Sequence, residues 1–275
     1  MVPAVEEAPA PYIPPPPEGP QRDIVALRLR DPFRWLALGW RDLRAHAGIA
    51  LFYGICFWLM ALVLALVFRN KPEYVMSIAS GCLLVGPFLA MGLYEVSRRR
   101  ECGLNPDLPS SLTCWDTRLR SVGLLVLVLV LLELIWGRAS LVVFAVFFNT
   151  GMPSTTGVVA AVFNPQNWEF VLVYLLVGGV FAVSVYAIAV VSIPMILDRD
   201  TDAISAVITS LQVVFRNTGV MLLWGLLIAL LVALALWPWG LGLVAVGPWL
   251  GHASWHAYRG SVQWQAEPEP EPKAT

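Results

Sequence analysis

Residues 121–147, SVGLLVLVLVLLELIWGRASLVVFAVF, decide the fold class of this chain. A helix needs about 20 mostly apolar residues to cross the hydrocarbon core of a bilayer, and this run carries only two charged side chains, Glu133 and Arg138. The sequence therefore predicts an all-α integral membrane protein. Comparable runs give about six transmembrane helices, near 48–68, 75–96, 121–147, 170–196, 219–237 and 239–257.

The composition agrees with a lipid environment. The 275 residues are 58% hydrophobic and 13% charged, whereas a soluble domain is normally about a quarter charged. The net charge of -1 gives no reason to expect nucleic-acid binding. Residues 1–24 and 263–275 are Pro-rich, which predicts disordered tails on either side of a transmembrane domain at 25–262.

Lysine and arginine placement predicts the orientation. Fifteen of the 18 basic residues lie before the first span, in the loops after the second and fourth spans, or after the sixth. The other three, Arg69, Lys71 and Arg138, lie on the opposite side. Because cytoplasmic loops retain positive charge, both termini are expected in the cytoplasm.

Two amphipathic segments each lead directly into a span. Residues 31–45 read DPFRWLALGWRDLRA and residues 202–216 read DAISAVITSLQVVFR. Both patterns predict an interfacial helix. Aligning Asp31 with Asp202 also sets Gly48 on Gly219 without a gap.

Further along, VGPFLAMGLYEVSR from Val85 matches VGPWLGHASWHAYR from Val246. The sequence thus predicts a parallel internal repeat of one interfacial helix and two spans. Whether the middle pair of spans is a third copy is left open. The sequence also leaves open whether residues 148–168 form a re-entrant hairpin, an interfacial segment or a loop.

Three segments, YEVSRRRECG, PMILDRDTDAISAVITSL and GPWLGHASWHAYR, resemble a bacterial family of predicted polytopic integral membrane proteins, domain of unknown function number 2189. The resemblance covers roughly residues 25–262. It implies a multi-pass protein of the bacterial inner (plasma) membrane. It supplies no activity and no catalytic residues.

Ionisable residues inside a membrane are costly and are candidates for function. Glu133 with Arg138 forms a candidate intramembrane polar site for a proton or cation, or a buried carboxyl hydrogen-bonded to a neighbouring helix. His252 and His256 share one face of the last span, but a metal or haem site would need further ligands. Interfacial, hydrogen-bonded histidines are the favoured interpretation.

The repeat sets Glu95 against His256, and Asp202 has the same offset from Pro194. These groups and His252 would line a shared vestibule or, as we favour, anchor the span ends in the headgroups. Pro87, Pro194 and Pro248 are expected to kink their helices. Small residues are expected to allow close helix packing, namely Gly86, Ala90, Gly247 and Gly251.

The motifs of common enzymes are absent from the sequence. There is no G-x-S-x-G, H-E-x-x-H or C-x-x-C, and neither Lys71 nor Lys273 lies in a Walker A motif. We therefore expect a non-enzymatic protein without metal or cofactor that contacts lipid and other membrane proteins, or itself, as an accessory, assembly or scaffold subunit. The alternative is a small-molecule or ion transporter or channel that uses the repeat interface and Glu133.

Overall fold

The structure is a computed structural model that describes residues 22–71, 74–148, 164–199 and 201–264. Within these ranges the chain forms nine α-helices, two 3₁₀ turns at Asp116–Arg118 and Pro165–Asn167, and two short strands, β1 (Arg22–Ile24) and β2 (Val262–Trp264). The helices are α1 (Asp31–Ala45), α2 (Ala47–Asn70), α3 (Val75–Glu101), α4 (Leu108–Thr113), α5 (Leu119–Phe147), α6 (Trp168–Arg199), α7 (Ala203–Arg216), α8 (Thr218–Ala235) and α9 (Leu243–Ser261).

Five helical segments are long and apolar enough to cross a membrane, which confirms the predicted all-α membrane fold. They are Ala47–Asn70, Ile78–Glu101, Leu108–Phe147, Trp168–Arg199 and Thr218–Ala235. The predicted sixth span, 239–257, begins later than expected, because residues 236–242 form the turn between α8 and α9. The segment α9 is not among the five, so the sixth crossing stays a prediction.

The centre of the molecule is formed by α3, α6 and α9, which contact one another. Residues 91–97 of α3 and 191–197 of α6 are all buried, and α9 buries its corresponding part between His252 and Tyr258 almost completely. A helix surrounded by other helices does not need the continuous apolar surface that lipid requires. This burial explains why α9 tolerates more polar residues than the other long helices.

Each central helix also carries one of the three shorter helices: α1 packs on α9, α4 packs on α3, and α7 packs on α6. The helices α1 and α7 bury residues at four equivalent positions of the predicted repeat. In the alignment these positions match Pro32 with Ala203, Trp35 with Ala206, Gly39 with Ser210 and Asp42 with Val213. This agreement favours the repeat. The contact pattern is also the one that a third copy around α4, α5 and α6 would give, and both remain predictions.

The two strands bring the ends of the described chain together. Arg22 pairs with Trp264 and Ile24 with Val262 in an antiparallel ladder. The prediction of disordered tails was therefore wrong at residues 22–24 and 263–264, because backbone pairing leaves no signal in hydropathy or proline content. The rest of both tails lies outside the described residues, as do residues 149–163 of the outer loop. We call the side of the molecule that carries β1 and β2 the terminal face.

The predicted packing and proline residues lie mainly inside the central helices. Pro87, Pro194 and Pro248 are all buried, and their helices continue through them. A Cβ atom on Gly247 would lie 2.7 Å from Phe57, and one on Gly251 would lie 2.5 Å from Leu93. These two glycines therefore let α9 approach α2 and α3 closely. Ala90 packs against the core, but a Cβ on Gly86 would meet no described atom within 4 Å, so the expected close contact is not found there.

Candidate functional site: a buried polar network

Asp42 connects three helices near the terminal face. It lies on the buried side of α1 and is only 5% exposed. The Ser97 hydroxyl on α3 donates to Asp42 Oδ2 at 2.7 Å, and His256 Nε2 on α9 lies 2.8 Å from the same oxygen. Arg100 on α3 pairs with the other carboxylate oxygen. The carboxylate thus holds α1, α3 and α9 together.

His252 extends this network into the protein interior. Its Nδ1 atom lies 2.8 Å from Ser97 Oγ, and both side chains are fully buried. A hydroxyl has one proton to donate, and Ser97 donates it to the carboxylate. His252 Nδ1 must then carry a proton and donate to Ser97, and in a neutral imidazole this leaves Nε2 as an acceptor. That Nε2 atom is buried and has no hydrogen-bond partner among the described residues.

The environment of Asp42 favours its ionised form. Burial raises the pKa of this carboxyl group. The hydrogen bonds from His256 and Ser97 and the nearby histidine charge together lower the pKa by more than burial raises it. The net pKa therefore lies below the usual aspartate value. The network consequently contains a buried carboxylate at neutral pH.

A second polar group ties the chain ends to α6. The Tyr258 hydroxyl on α9 donates to Asp198 Oδ2 on α6 at 2.8 Å, and Trp264 Nε1 on β2 donates to the Tyr258 oxygen at 3.0 Å. Arg259 Nε lies 3.1 Å from Glu101 Oε2 on α3. A cavity of about 360 Å³ borders Glu101, His256 and Arg259, and it adjoins the polar network.

The predicted vestibule residues do not all contact this network. His252 and His256 do, through Ser97 and Asp42. Glu95 instead accepts hydrogen bonds from Arg98 and Arg99. Asp202 accepts the Ser205 backbone N–H at the start of α7, and this hydrogen bond lowers the pKa of Asp202. Asp202 is therefore a helix cap.

Sequence reasoning missed Asp42, Ser97 and Asp198. Asp42 carried a usable signal, since it lies on the same helical face as Trp35 and Gly39, which the structure buries. A charged residue on a buried helix face needs a partner. Ser97 and Asp198 carried no comparable signal, because serine in a span and aspartate at a span end are common.

Glu133 and Arg138 do not form a pair within the described residues. The Ser80 hydroxyl on α3 donates to Glu133 Oε2 at 2.6 Å, whereas Glu133 Oε1 is buried without a partner there. Arg138 is exposed on α5. Among the described residues, Glu133 therefore pairs with Ser80, between α5 and α3, and not with the predicted Arg138.

The geometry of the main network does not suit nucleophilic catalysis. An activated serine donates its proton to a base and faces a substrate. Ser97 is fully buried and donates to a carboxylate that already accepts from His256 and Arg100. The arrangement holds α1, α3 and α9 together through hydrogen bonds and an ion pair.

The helices and their apolar surfaces define a multi-pass integral membrane protein. Residues 75–198, which include α3 to α6, match the model of the family described as "Predicted integral membrane protein (DUF2189)". This match confirms the resemblance over that part of the chain. No curated protein and no solved structure matches the chain.

Proposed function

We propose that this protein acts by association, as an accessory, assembly or scaffold subunit of a complex in the bacterial inner membrane, with both termini in the cytoplasm. The observation that carries this proposal is the filled centre of the molecule. Near the terminal face, α3, α6 and α9 pack through fully buried side chains that include Met91, Met195, Ile196, Trp255 and Tyr258. These side chains occupy the space that a transport pathway between the three central helices would need.

A second observation supports an interaction within the membrane. Although α6 is a central helix, its first half exposes a row of apolar residues at helical spacing: Leu172, Leu175, Leu176, Val180 and Val183. Gly179 lies within this row, and a Cβ there would meet no described atom within 4 Å. Small residues beside large apolar ones are typical of helix–helix contacts in membranes. We infer that this row contacts a helix of a partner.

The test is the mass of the native assembly after mild-detergent purification of the tagged full-length chain. The proposal expects a stoichiometric partner. Gly179→Leu should release this partner, because the new side chain fills the contact surface without disturbing the fold. Gly123→Leu is the matched control, since Gly123 lies on a long apolar helix and also has open space around it. A chain that purifies alone, or a partner retained equally by both variants, would contradict the proposal.

The second candidate function is an ion or small-molecule transporter, and one observation favours it. The Glu133 carboxyl group has one oxygen bonded to Ser80 and one buried oxygen without a described partner, as a site for a proton or cation would require. Reconstituted Glu133→Gln protein should then lose proton-coupled flux. Ser80→Ala should weaken that flux in the same direction. Equal flux in wild type and Glu133→Gln would eliminate this candidate.

A further inference from the structure

Two sets of arginines near the terminal face differ in their pairing. Arg98, Arg99, Arg100 and Arg259 each form an ion pair with Glu95, Asp107, Asp42 or Glu101. Three arginines on α1 are exposed and have no carboxylate within ion-pair distance among the described residues, namely Arg34, Arg41 and Arg44. The first group therefore stabilises the fold, and the second group presents its charge outward.

The helix α1 has three distinct faces. Trp35, Gly39 and Asp42 face the protein interior. At 3.6 residues per turn, Phe33 and Trp40 project together on another side, where they are 56% and 42% exposed. The three arginines begin beside this aromatic face and continue away from the protein. An exposed aromatic face that borders a cationic face is the pattern of a helix lying in the plane of a membrane surface.

The helix α7 repeats the exposed apolar face. Ile204, Ile208 and Phe215 lie on one side and are exposed, opposite the residues that pack on α6. A groove of about 750 Å³ runs between this side and β1, and its charged residues are Arg22, Asp23 and Arg216. Both interfacial helices thus combine outward apolar residues with arginine, although α1 carries the higher charge.

We propose that α1 lies in the membrane interface and binds anionic phospholipid headgroups through Arg34, Arg41 and Arg44, with α7 as a weaker second contact. A lipid surface fits these residues because the aromatic face needs an apolar environment while the adjoining arginines need phosphate. Each basic residue near an anionic surface increases the affinity for that surface roughly five-fold. The three arginines together should give a preference of about a hundred-fold over a zwitterionic lipid.

The test uses the full-length chain in detergent with equimolar phosphatidylglycerol and phosphatidylcholine, and native mass spectrometry counts the lipids that stay bound. The wild type should retain phosphatidylglycerol selectively. The triple variant R34Q/R41Q/R44Q should lose that selectivity at least ten-fold, and R34K/R41K/R44K should keep most of it. R69Q/R138Q is the control, because it removes exposed arginines that do not lie on α1.

A second readout locates α1 directly. Brominated phosphatidylglycerol should quench Trp40 fluorescence, which is obtained as the difference between the wild type and Trp40→Phe. Unchanged thermal stability of the triple variant shows that the fold is intact. Equal retention of the two lipids by the wild type, or equal retention of phosphatidylglycerol by wild type and triple variant, would overturn the proposal. The second result would mean that these arginines serve another partner, such as an acidic protein segment.

Discussion

At the scale of single residues, Asp42 shows how a membrane protein uses a buried charge. Its carboxylate is almost excluded from solvent, yet it receives hydrogen bonds from Ser97 and His256 and an ion pair from Arg100. Ser97 and Arg100 lie three residues apart on α3, and His256 lies on α9. A buried charge of this kind adds little stability by itself, but its removal leaves several polar groups without a partner.

Replacing Asp42 by asparagine should therefore destabilise the fold. The side chain keeps its shape, but it loses the charge that pairs with Arg100 and one of its acceptor oxygens becomes a donor. The expected loss is on the order of 1–3 kcal/mol, measured as a lower thermal midpoint in detergent. Asp116→Asn is the control, because Asp116 is exposed in a 3₁₀ turn. A shift no larger than that of the control would show that the network does not stabilise α1.

The pH dependence of this effect follows from the lowered pKa of Asp42. A carboxyl group whose pKa is lower in the folded state stabilises the fold above its unfolded pKa, about 3.9 for aspartate. That contribution disappears as the pH falls through the lower, folded value. The difference in thermal midpoint between wild type and Asp42→Asn should therefore be present at about pH 5 and shrink below about pH 4. A difference that grows as the pH falls from about 5 to about 3 would contradict the assigned charge state.

Two glycines in adjacent helices should respond in opposite ways to the same substitution. A Cβ on Gly39 would lie 2.6 Å from the Ala253 backbone nitrogen, so Gly39→Ala must push α1 away from α9. We expect a loss of about 1–3 kcal/mol. Gly48 has open space around it, and Gly48→Ala should be neutral or stabilise α2 by up to about 1 kcal/mol. Thermal midpoints of both variants test this, and similar shifts would refute the close α1–α9 contact.

At the scale of helices and strands, hydropathy and amphipathic spacing predicted most of the fold. The interfacial helix expected at 31–45 is α1 with the same bounds, and the one expected at 202–216 is α7 with Asp202 as its cap. These segments were predictable because helical periodicity reports which side is apolar. The pairing of β1 with β2 was not predictable, since it depends on backbone hydrogen bonds between distant segments.

The polar network was less accessible to sequence reasoning than the helices. His252 and His256 were identified from their spacing on one helix, but their partners lie on α1 and α3. No local pattern encodes which distant carboxylate will reach a histidine. The predicted repeat sets Glu95 against His256, yet Glu95 pairs with its own neighbours Arg98 and Arg99. Aligning the two segments therefore does not predict the partners of either side chain.

At the scale of the whole molecule, the paired strands limit how many times the chain can cross the membrane. Arg22–Ile24 and Val262–Trp264 are hydrogen-bonded to each other, so both lie on the same side. A chain that returns to its starting side must cross an even number of times. Five crossings, one for each helix that qualifies by length and composition, would leave it on the opposite side. The helix α9 is the segment between the fifth of these helices and β2, so we predict that it provides the sixth crossing.

This parity argument predicts which positions a membrane-impermeant maleimide will reach in intact spheroplasts. Each full-length variant carries a single cysteine. One variant keeps only the native Cys102, and the other two lack all native cysteines and carry Trp239→Cys or Gln263→Cys. All three positions are exposed. Trp239→Cys, in the turn between α8 and α9, should react in intact cells, whereas Cys102 and Gln263→Cys should react only after permeabilisation. If Gln263→Cys and Trp239→Cys reacted alike, α9 would not cross the bilayer. The pairing of β1 with β2 would then require that one of the five apolar helices also fails to cross.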